Sequence, residues 1–375
     1  MRPKLWLAAL SLALPALVAG AATQVRATPQ TALRGAPASP PLDAQKRHGH
    51  RLRPIAAPSA RELSKAVALK RDPDKPAEHV VLVVLDGVKW QDVFGLTEDA
   101  SETMPTLQKW MNVDGAVIGA PGVGAPMQAS GPNFVSLPGY VEILTGRPSM
   151  TCQQNECVLP PLDTFADEVP THSAIVSSWE AIGPIVRSKT ASVTAGRHYR
   201  RGSFDAPTMA AIDRAKDADP FPGTWDYRPD ALTAEIALDV LRREEPAFLF
   251  VGLGETDEWA HRGDREGYLA AMRAADAFLE RLDETLRDEG MVSSTTVIVT
   301  TDHGRADSFR DHGWPWPESK RVWLVAKGAG IEARGAVEAP ERRLSSVAPT
   351  IRRLLGVVPS GDEGPPLMEL LGERP

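Results

Sequence analysis

The chain has 375 residues, 42% of them hydrophobic and 24% charged, and a formal net charge of −7. That composition belongs to an ordinary globular protein of one large or two modest domains. The charge is uneven: residues 1–78 hold 13 basic against 5 acidic side chains, a balance of +8, and the remainder 29 against 44, a balance of −15, so the acidic main body does not invite nucleic acid as a partner.

Residues 1–21 read as a cleaved export signal. Arg2 and Lys4 open it, Leu5 to Val18 form an apolar core too short to span a bilayer comfortably, and Ala19-Gly20-Ala21 offers a small-residue cleavage site. No cysteine lies near that site, which argues against a lipoprotein, and no later stretch reaches transmembrane length. The mature chain is therefore expected to be soluble, periplasmic or secreted, without a stable membrane anchor. Residues 22–78, rich in Ala, Pro, Thr and Arg, read as a linker. Within it the capping box Ser59-Ala60-Arg61-Glu62 predicts a short helix over 60–70.

From 79 to 375, apolar β runs alternate with helical patterns, the signature of a layered α/β catalytic domain. Strands are predicted at 80–85, 115–118, 173–177, 247–253, 296–301 and 321–326. Helices are predicted at 104–112, 139–146, 230–243, 264–288 and 345–355, the third capped at Arg228-Pro229-Asp230. Stretches 150–170 and 186–228 are rich in Pro, Gly and polar residues; loops this long are usually functional, so about 150–228 reads as a cap or rim over an active site. Cys152 and Cys157, the only cysteines, are expected to form a disulfide that pins their short loop.

Three aspartates stand just past strand-like runs: Asp86, Asp257 and Asp302. Ligands of an open parallel sheet bind beyond the carboxyl ends of its strands. Two of these aspartates have histidines at metal-ligand spacing, in Asp257-x-x-x-His261 and Asp302-His303, and His312 stands in Asp311-His312-Gly313. On one helical face Asp257 and His261 can bind the same ion. Each motif alone also fits a capped helix or a plain turn; their conjunction at one sheet edge predicts room for two metal ions. Mixed carboxylate and imidazole ligands suit zinc, or manganese or iron, better than calcium. Ser136 precedes a predicted helix, whose N-terminal N–H groups and dipole favour an incipient alkoxide. A serine there is also an ordinary N-cap; beside metal ligands it is the candidate nucleophile. Asn133 is a candidate donor to a substrate oxygen, against a turn-forming role. Arg147, Arg197 and Arg200 are candidates for a similar contact by position only. Trp179-Glu180 could wall the pocket, and Trp259, Trp314 and Trp316 could pack a substrate's organic group or simply the core.

The set Asp86, Ser136, Asp257-x-x-x-His261, Asp302-His303 and His312 resembles, in the family's own order, the two-metal core of the alkaline phosphatase superfamily. The closing Val347-Ala348-Pro349-Thr350-Ile351 is similar to that family's last helix. The resemblance implies a three-layer α/β sandwich with a mostly parallel central sheet and helices on both faces. It implies one metal held by Asp257, His261 and His312, and a second by Asp86, Asp302 and His303, with Ser136 near the second. Two divalent cations, zinc or else manganese, are thereby expected as cofactors and a small phosphoester as substrate. Sulfatases carry arginine where Ser136-Leu137-Pro138-Gly139-Tyr140 has tyrosine, so the expected activity is a phosphodiesterase or phosphomonoesterase with a Ser136 phosphoenzyme. Transfer to an acceptor alcohol, a sulfatase, and a non-catalytic metal-binding module stand as alternatives. Oligomeric state is left open.

Overall fold

Residues His79–Leu85 read HVVLVVL, a β-branched run buried on both faces, and form the central strand β1. The computed structural model describes residues 76–159, 162–169, 171–186, 188, 190–197, 204–218, 223, 226–358 and 360–371. These fall within the unit Ala57–Pro375. The export signal, most of the linker with its 60–70 helix, and Arg200 lie outside the described residues.

Further strands are β2 (Gly115–Ile118), β3 (Met127–Gln128), β4 (Ser173–Ser177), β5 (Ser192–Ala195), β6 (Phe248–Leu253), β7 (Thr295–Thr300), β8 (Arg321–Val322), β9 (Leu324–Gly328) and β10 (Gly335–Ala336). The helices that matter below are α1 (Pro105–Lys109), α2 (Ser136–Thr145), α3 (Ile182–Val186), α4 (Ala206–Ala218), α5 (Asp230–Glu244), α6 (Glu255–His261), α7 (Arg265–Asp288) and α8 (Val347–Leu355). Among the described residues the main sheet has eight strands in the order β10-β2-β9-β7-β1-β6-β4-β5. Only β9 runs antiparallel to its neighbours. Alternate residues of β1 feed two cores. Val81, Val83 and Leu85 pack with Ile236 and Leu241 of α5 and Met272 and Leu279 of α7. Val80, Leu82 and Val84 pack with Leu137 and Ile143 of α2, Ile182 of α3 and Ile351 of α8. This is a three-layer sandwich, and each fully buried aliphatic side chain contributes about 1.5–3 kcal/mol to it.

Register sets the functional edge. Leu85 of β1 lies beside Leu253 of β6, and Val84 beside Thr300 of β7, all parallel. The three central strands therefore end level, and the residues after them emerge together. Helices α5 and α6 start by capping each other: Asp230 accepts from Gly254 N and Glu255 N (2.9 Å each), and Glu255 Oε1 accepts from Asp230 N (2.8 Å). A carboxylate at a helix N-terminus satisfies orphan N–H groups and opposes the dipole, so the start of α6 is fixed relative to the sheet.

Several predicted elements are shifted. The 321–326 strand divides at the buried Trp323, whose indole donates to Val88 O (3.1 Å). Before it β8 pairs with β3; after it β9 joins the main sheet. The 104–112 helix is α1 followed by a π-type turn over Trp110–Asp114. The segment read as cap or rim contains an edge strand, β5, and a helix, α4, tied to α5 by Thr208 Oγ1 donating to Asp239 (3.0 Å). Among the described residues no helix is long and apolar enough to cross a membrane.

Candidate metal centre

The structure brings Asp86, Asp257, His261, Asp302, His303 and His312 to the level edge of β1, β6 and β7. Asp86 follows β1, Asp257 and His261 lie on α6, and Asp302, His303 and His312 follow β7. Their ligand atoms form two trios: Asp257, His261 and His312, and Asp86, Asp302 and His303. In the first, His261 Nε2 is 3.0 Å from Asp257 Oδ2 and 2.9 Å from His312 Nε2, and His312 Nε2 is 3.7 Å from Asp257 Oδ1. In the second, His303 Nε2 is 3.4 Å from both Asp86 Oδ1 and Asp302 Oδ2. The trios adjoin: His303 Nε2 lies 3.9 Å from Asp257 Oδ1, and the His303 and His312 rings stack at 4.0 Å. The second trio is fully buried, while the His261 side chain is 46% exposed and opens the first to solvent.

The donor set fits divalent cations. Among the described residues Asp302 Oδ2 is buried without a hydrogen-bond partner, and it faces His303 Nε2 of its own trio at 3.4 Å. Burial, and then the charge of Asp86, raise the Asp302 carboxyl to about 7 against the opposing charge of His303. His303 Nδ1 donates to Gly304 O (2.8 Å) and His312 Nδ1 to Phe134 O (2.9 Å). Each bond orients its ring and presents Nε2 to the carboxylates, the usual support of a metal-bound imidazole. Burial, with the charge of His303, lowers both His261 and His312 below the usual imidazole range, which keeps them neutral and able to ligate. For His303 burial is outweighed by Asp302 and Asp86, leaving it at about 9.

Helix α2 begins at Ser136 itself, three residues earlier than predicted, with Val135 in the capping position. Ser136 makes no capping bond; its hydroxyl lies 3.3 Å from Asp86 Oδ1 and 3.3 Å from His303 Nε2. The orphan N–H of Leu137 is taken by Asn155 Oδ1 (2.9 Å) from the loop that the Cys152–Cys157 disulfide closes. At Gly139 a Cβ would collide with the backbone carbonyl of Asp302, so glycine lets the helix lie against the metal edge.

The other candidates have different surroundings. Asn133 joins two loops: its amide donates to Gln153 O (2.6 Å) and accepts from Trp314 N (2.8 Å), so both ends are engaged within the protein. Arg147 pairs with Asp362 (2.6 Å), and Arg197 donates to Tyr227 O (3.1 Å). Trp179 is buried and stacks on Tyr227 (5.9 Å, 14°); Trp259 packs against the core and close to Gly267. Trp316 is half-buried, and Trp314 is exposed.

Three contributors are absent from the sequence reading. Tyr140 donates to Asp86 Oδ2 (3.2 Å); its i, i+4 spacing from Ser136 places both on one face of α2 and was a readable signal. Gly87, at φ +60, donates its N–H to Asp302 Oδ1 (3.0 Å). Arg305, buried, donates to Gly87 O (3.0 Å) and to the Asp257 carboxylate.

Residues 78–358 match the Metalloenzyme superfamily. The chain is 30% identical over 140 residues to a 2,3-bisphosphoglycerate-independent phosphoglycerate mutase of Wolinella succinogenes, covering 37% of this chain and 27% of that protein. It is 28% identical over 210 residues to a phosphopentomutase of Rhizobium leguminosarum bv. trifolii, covering 55% and 41%. The matches thus span less than half the length of these curated relatives. Among solved structures, the wild-type alkaline phosphatase PafA superposes with a TM-score of 0.58 at 12% identity, covering 79% of this chain and 99% of that one. A phosphonate monoester hydrolase from Silicibacter pomeroyi gives 0.52 at 16% identity, covering 80% and 77%. The two solved structures show that the fold is alkaline-phosphatase-like, and the match over residues 78–358 establishes that the chain belongs to the Metalloenzyme superfamily.

Proposed function

We propose that the protein is an exported two-metal hydrolase of phosphate esters that works through a Ser136 phosphoenzyme. The supporting observation is the Ser136 hydroxyl at the N-terminus of α2, held between Asp86 and His303 beside the second trio. Asp257, His261 and His312 would hold one divalent cation and Asp86, Asp302 and His303 the other, zinc being favoured by the donor set. Bound cations supply charge neutralisation for the phosphoryl oxygens and lower the cost of forming the alkoxide and the leaving oxygen.

The chain's own groups define the rest. The Ser136 Oγ–H points at Asp86 Oδ1, the acceptor along which its proton departs as Oγ bonds to phosphorus. The dipole of α2, whose first residue is Ser136, favours negative charge at that oxygen. The P–O bond to the alcohol breaks on the far side, and the alkoxide takes a proton from water. The hydroxide so formed attacks phosphorus and breaks the P–Oγ bond, and Ser136 Oγ takes its proton back from Asp86 as phosphate leaves from a monoester, or a monoester from a diester. Tyr140 and Gly87 hold the Asp86 and Asp302 carboxylates in place. The Cys152–Cys157 bridge suits an oxidising compartment, in keeping with export.

The test is hydrolysis of matched mono-, di- and sulfate esters by protein reloaded with zinc or manganese. Ser136→Ala should lose at least about a thousandfold in kcat while keeping its metal content, and acid quench should trap phosphate on Ser136 of the wild type. Full activity in the variant would defeat the covalent scheme. A second reading, transfer to an acceptor alcohol, is favoured by the phosphomutases among the relatives. Product analysis with added acceptor alcohol separates it: a transferred phosphoester that grows with acceptor concentration, with little free phosphate, would replace hydrolysis.

A further inference from the structure

Trp314 is 72% exposed, two residues past His312. Burying an indole is strongly favourable, and a surface turn with Gly313 before it and Pro315 after it needs no aromatic for its own sake. The turn is nonetheless held at several points. Trp314 N donates to Asn133 Oδ1 (2.8 Å), and Trp316 N closes the turn onto Gly313 O (3.0 Å). Gly313 has φ +105, a conformation that disfavours any side chain, and a Cβ there would approach Asn133 Oδ1 at 3.0 Å. Asn133 is itself anchored through its side chain to Gln153 O (2.6 Å), inside the disulfide loop, and His312 Nδ1 bonds Phe134 O (2.9 Å). Three segments thus combine to hold the backbone of an exposed tryptophan two residues from His312 of the open trio.

Position along the reaction axis gives the indole a role. Ser136 contacts Asp86 and His303, at the buried pole of the centre. In phosphoryl transfer the attacking and leaving oxygens lie roughly in line across phosphorus. The alcohol therefore departs on the side away from Ser136, toward Asp257, His261 and His312, where the chain continues into Trp314. We propose that Trp314 is a platform for the leaving alcohol and selects esters whose alcohol is planar and aromatic. This rests on the phosphoesterase reading of the centre. Because the alcohol is gone once Ser136 is phosphorylated, Trp314 acts in the first half-reaction.

Benzyl and cyclohexylmethyl phosphates, or their methyl diesters if diesters are the better substrates, test this: they have nearly the same size and leaving-group basicity but differ in planarity. For wild type loaded with zinc, the ratio of kcat/KM for benzyl over cyclohexylmethyl should exceed that of Trp314→Ala by about three- to tenfold. Trp314→Phe should restore most of it, and the loss should appear in the pre-steady-state release of alcohol. Equal ratios in wild type and Trp314→Ala, with both folded by circular dichroism, would overturn the proposal. If wild type turns over no ester, the hydrolase reading fails separately. Equilibrium binding of benzylphosphonate against cyclohexylmethylphosphonate then decides: a preference lost in Trp314→Ala supports the platform, and equal binding overturns it.

Discussion

Arg305 is not one of the trio residues, yet it is buried and bonds to three of the segments that carry them. Its Nε donates to Gly87 O (3.0 Å), Nη1 to Phe309 O and Arg310 O (3.1 Å each), and Nη2 to Asp257 O (3.3 Å) and the Asp257 carboxylate. One planar fork therefore joins the turn after β1, the start of α6 and the loop that carries His312. Burial lowers its pKa to about 10, which still leaves it charged at neutral pH. A cation this close opposes metal binding by charge, whereas its fork favours binding by order. Arg305→Lys separates the two effects, since lysine keeps the charge and loses the fork. If order dominates, the affinity for at least one of the two cations, measured by calorimetry, falls about tenfold or more; unchanged affinity would mean that Arg305 plays no part in shaping the centre. The six trio residues and Ser136 were legible because their chemistry is unusual at strand ends. Arg305 was not, because most of its partners are backbone carbonyls, one of them 218 positions away, and carbonyls leave no mark on a sequence.

At the scale of the element, α2 is positioned from both ends. Asn155 caps its start, and Glu142 ties its body to Ser130 N (2.9 Å), Ser130 Oγ (2.6 Å) and Ser345 N (2.9 Å). Burial raises the Glu142 carboxyl above its ordinary value of 4.5, against hydrogen bonds from Ser130 and Ser345 that favour the ion. A folded-state pKa above the unfolded one means that the folded chain holds the proton longer. That contribution is fully present below the unfolded pKa and is lost as pH rises through the folded value. Glutamine cannot titrate and lacks one of the acceptors. Glu142→Gln should therefore cost about 1–3 kcal/mol, and its deficit against wild type should narrow as pH rises from about 4 toward neutrality. Urea unfolding at a series of pH values measures this, and a deficit independent of pH would contradict it. The strands that position the centre were readable because β1, β6 and β7 are long apolar runs buried on both faces. The edge strand β5 has four residues and only one of them buried, and α4 has a mixed surface, so neither shows a period above its polar surroundings. The division at Trp323 was hidden because both halves of 321–326 look equally strand-like; a single buried indole decides where the chain changes sheets.

For the whole molecule, the level ends of three parallel strands gather three aspartates into the interior of a body already carrying excess negative charge. Folding without cations must hold those carboxylates together against their repulsion, so cation binding and folding are coupled. With free metal at a hundred times the dissociation constant, stability should rise by about 2.7 kcal/mol per site. Thermal melts of chelated and reloaded protein measure the gain; identical midpoints would show that the trios are not metal sites in solution.

The two trios also differ in how they meet the solvent: His261 is 46% exposed, while Asp86, Asp302 and His303 are sealed. A chelator should empty them on separate clocks, the first within the mixing time of an ordinary assay and the second only as fast as the edge breathes open. Brief treatment would then leave a half-filled population that has lost its turnover yet keeps about half of the stability that the cations add. Activity and heat resistance would be two separately timed records of the same exposure.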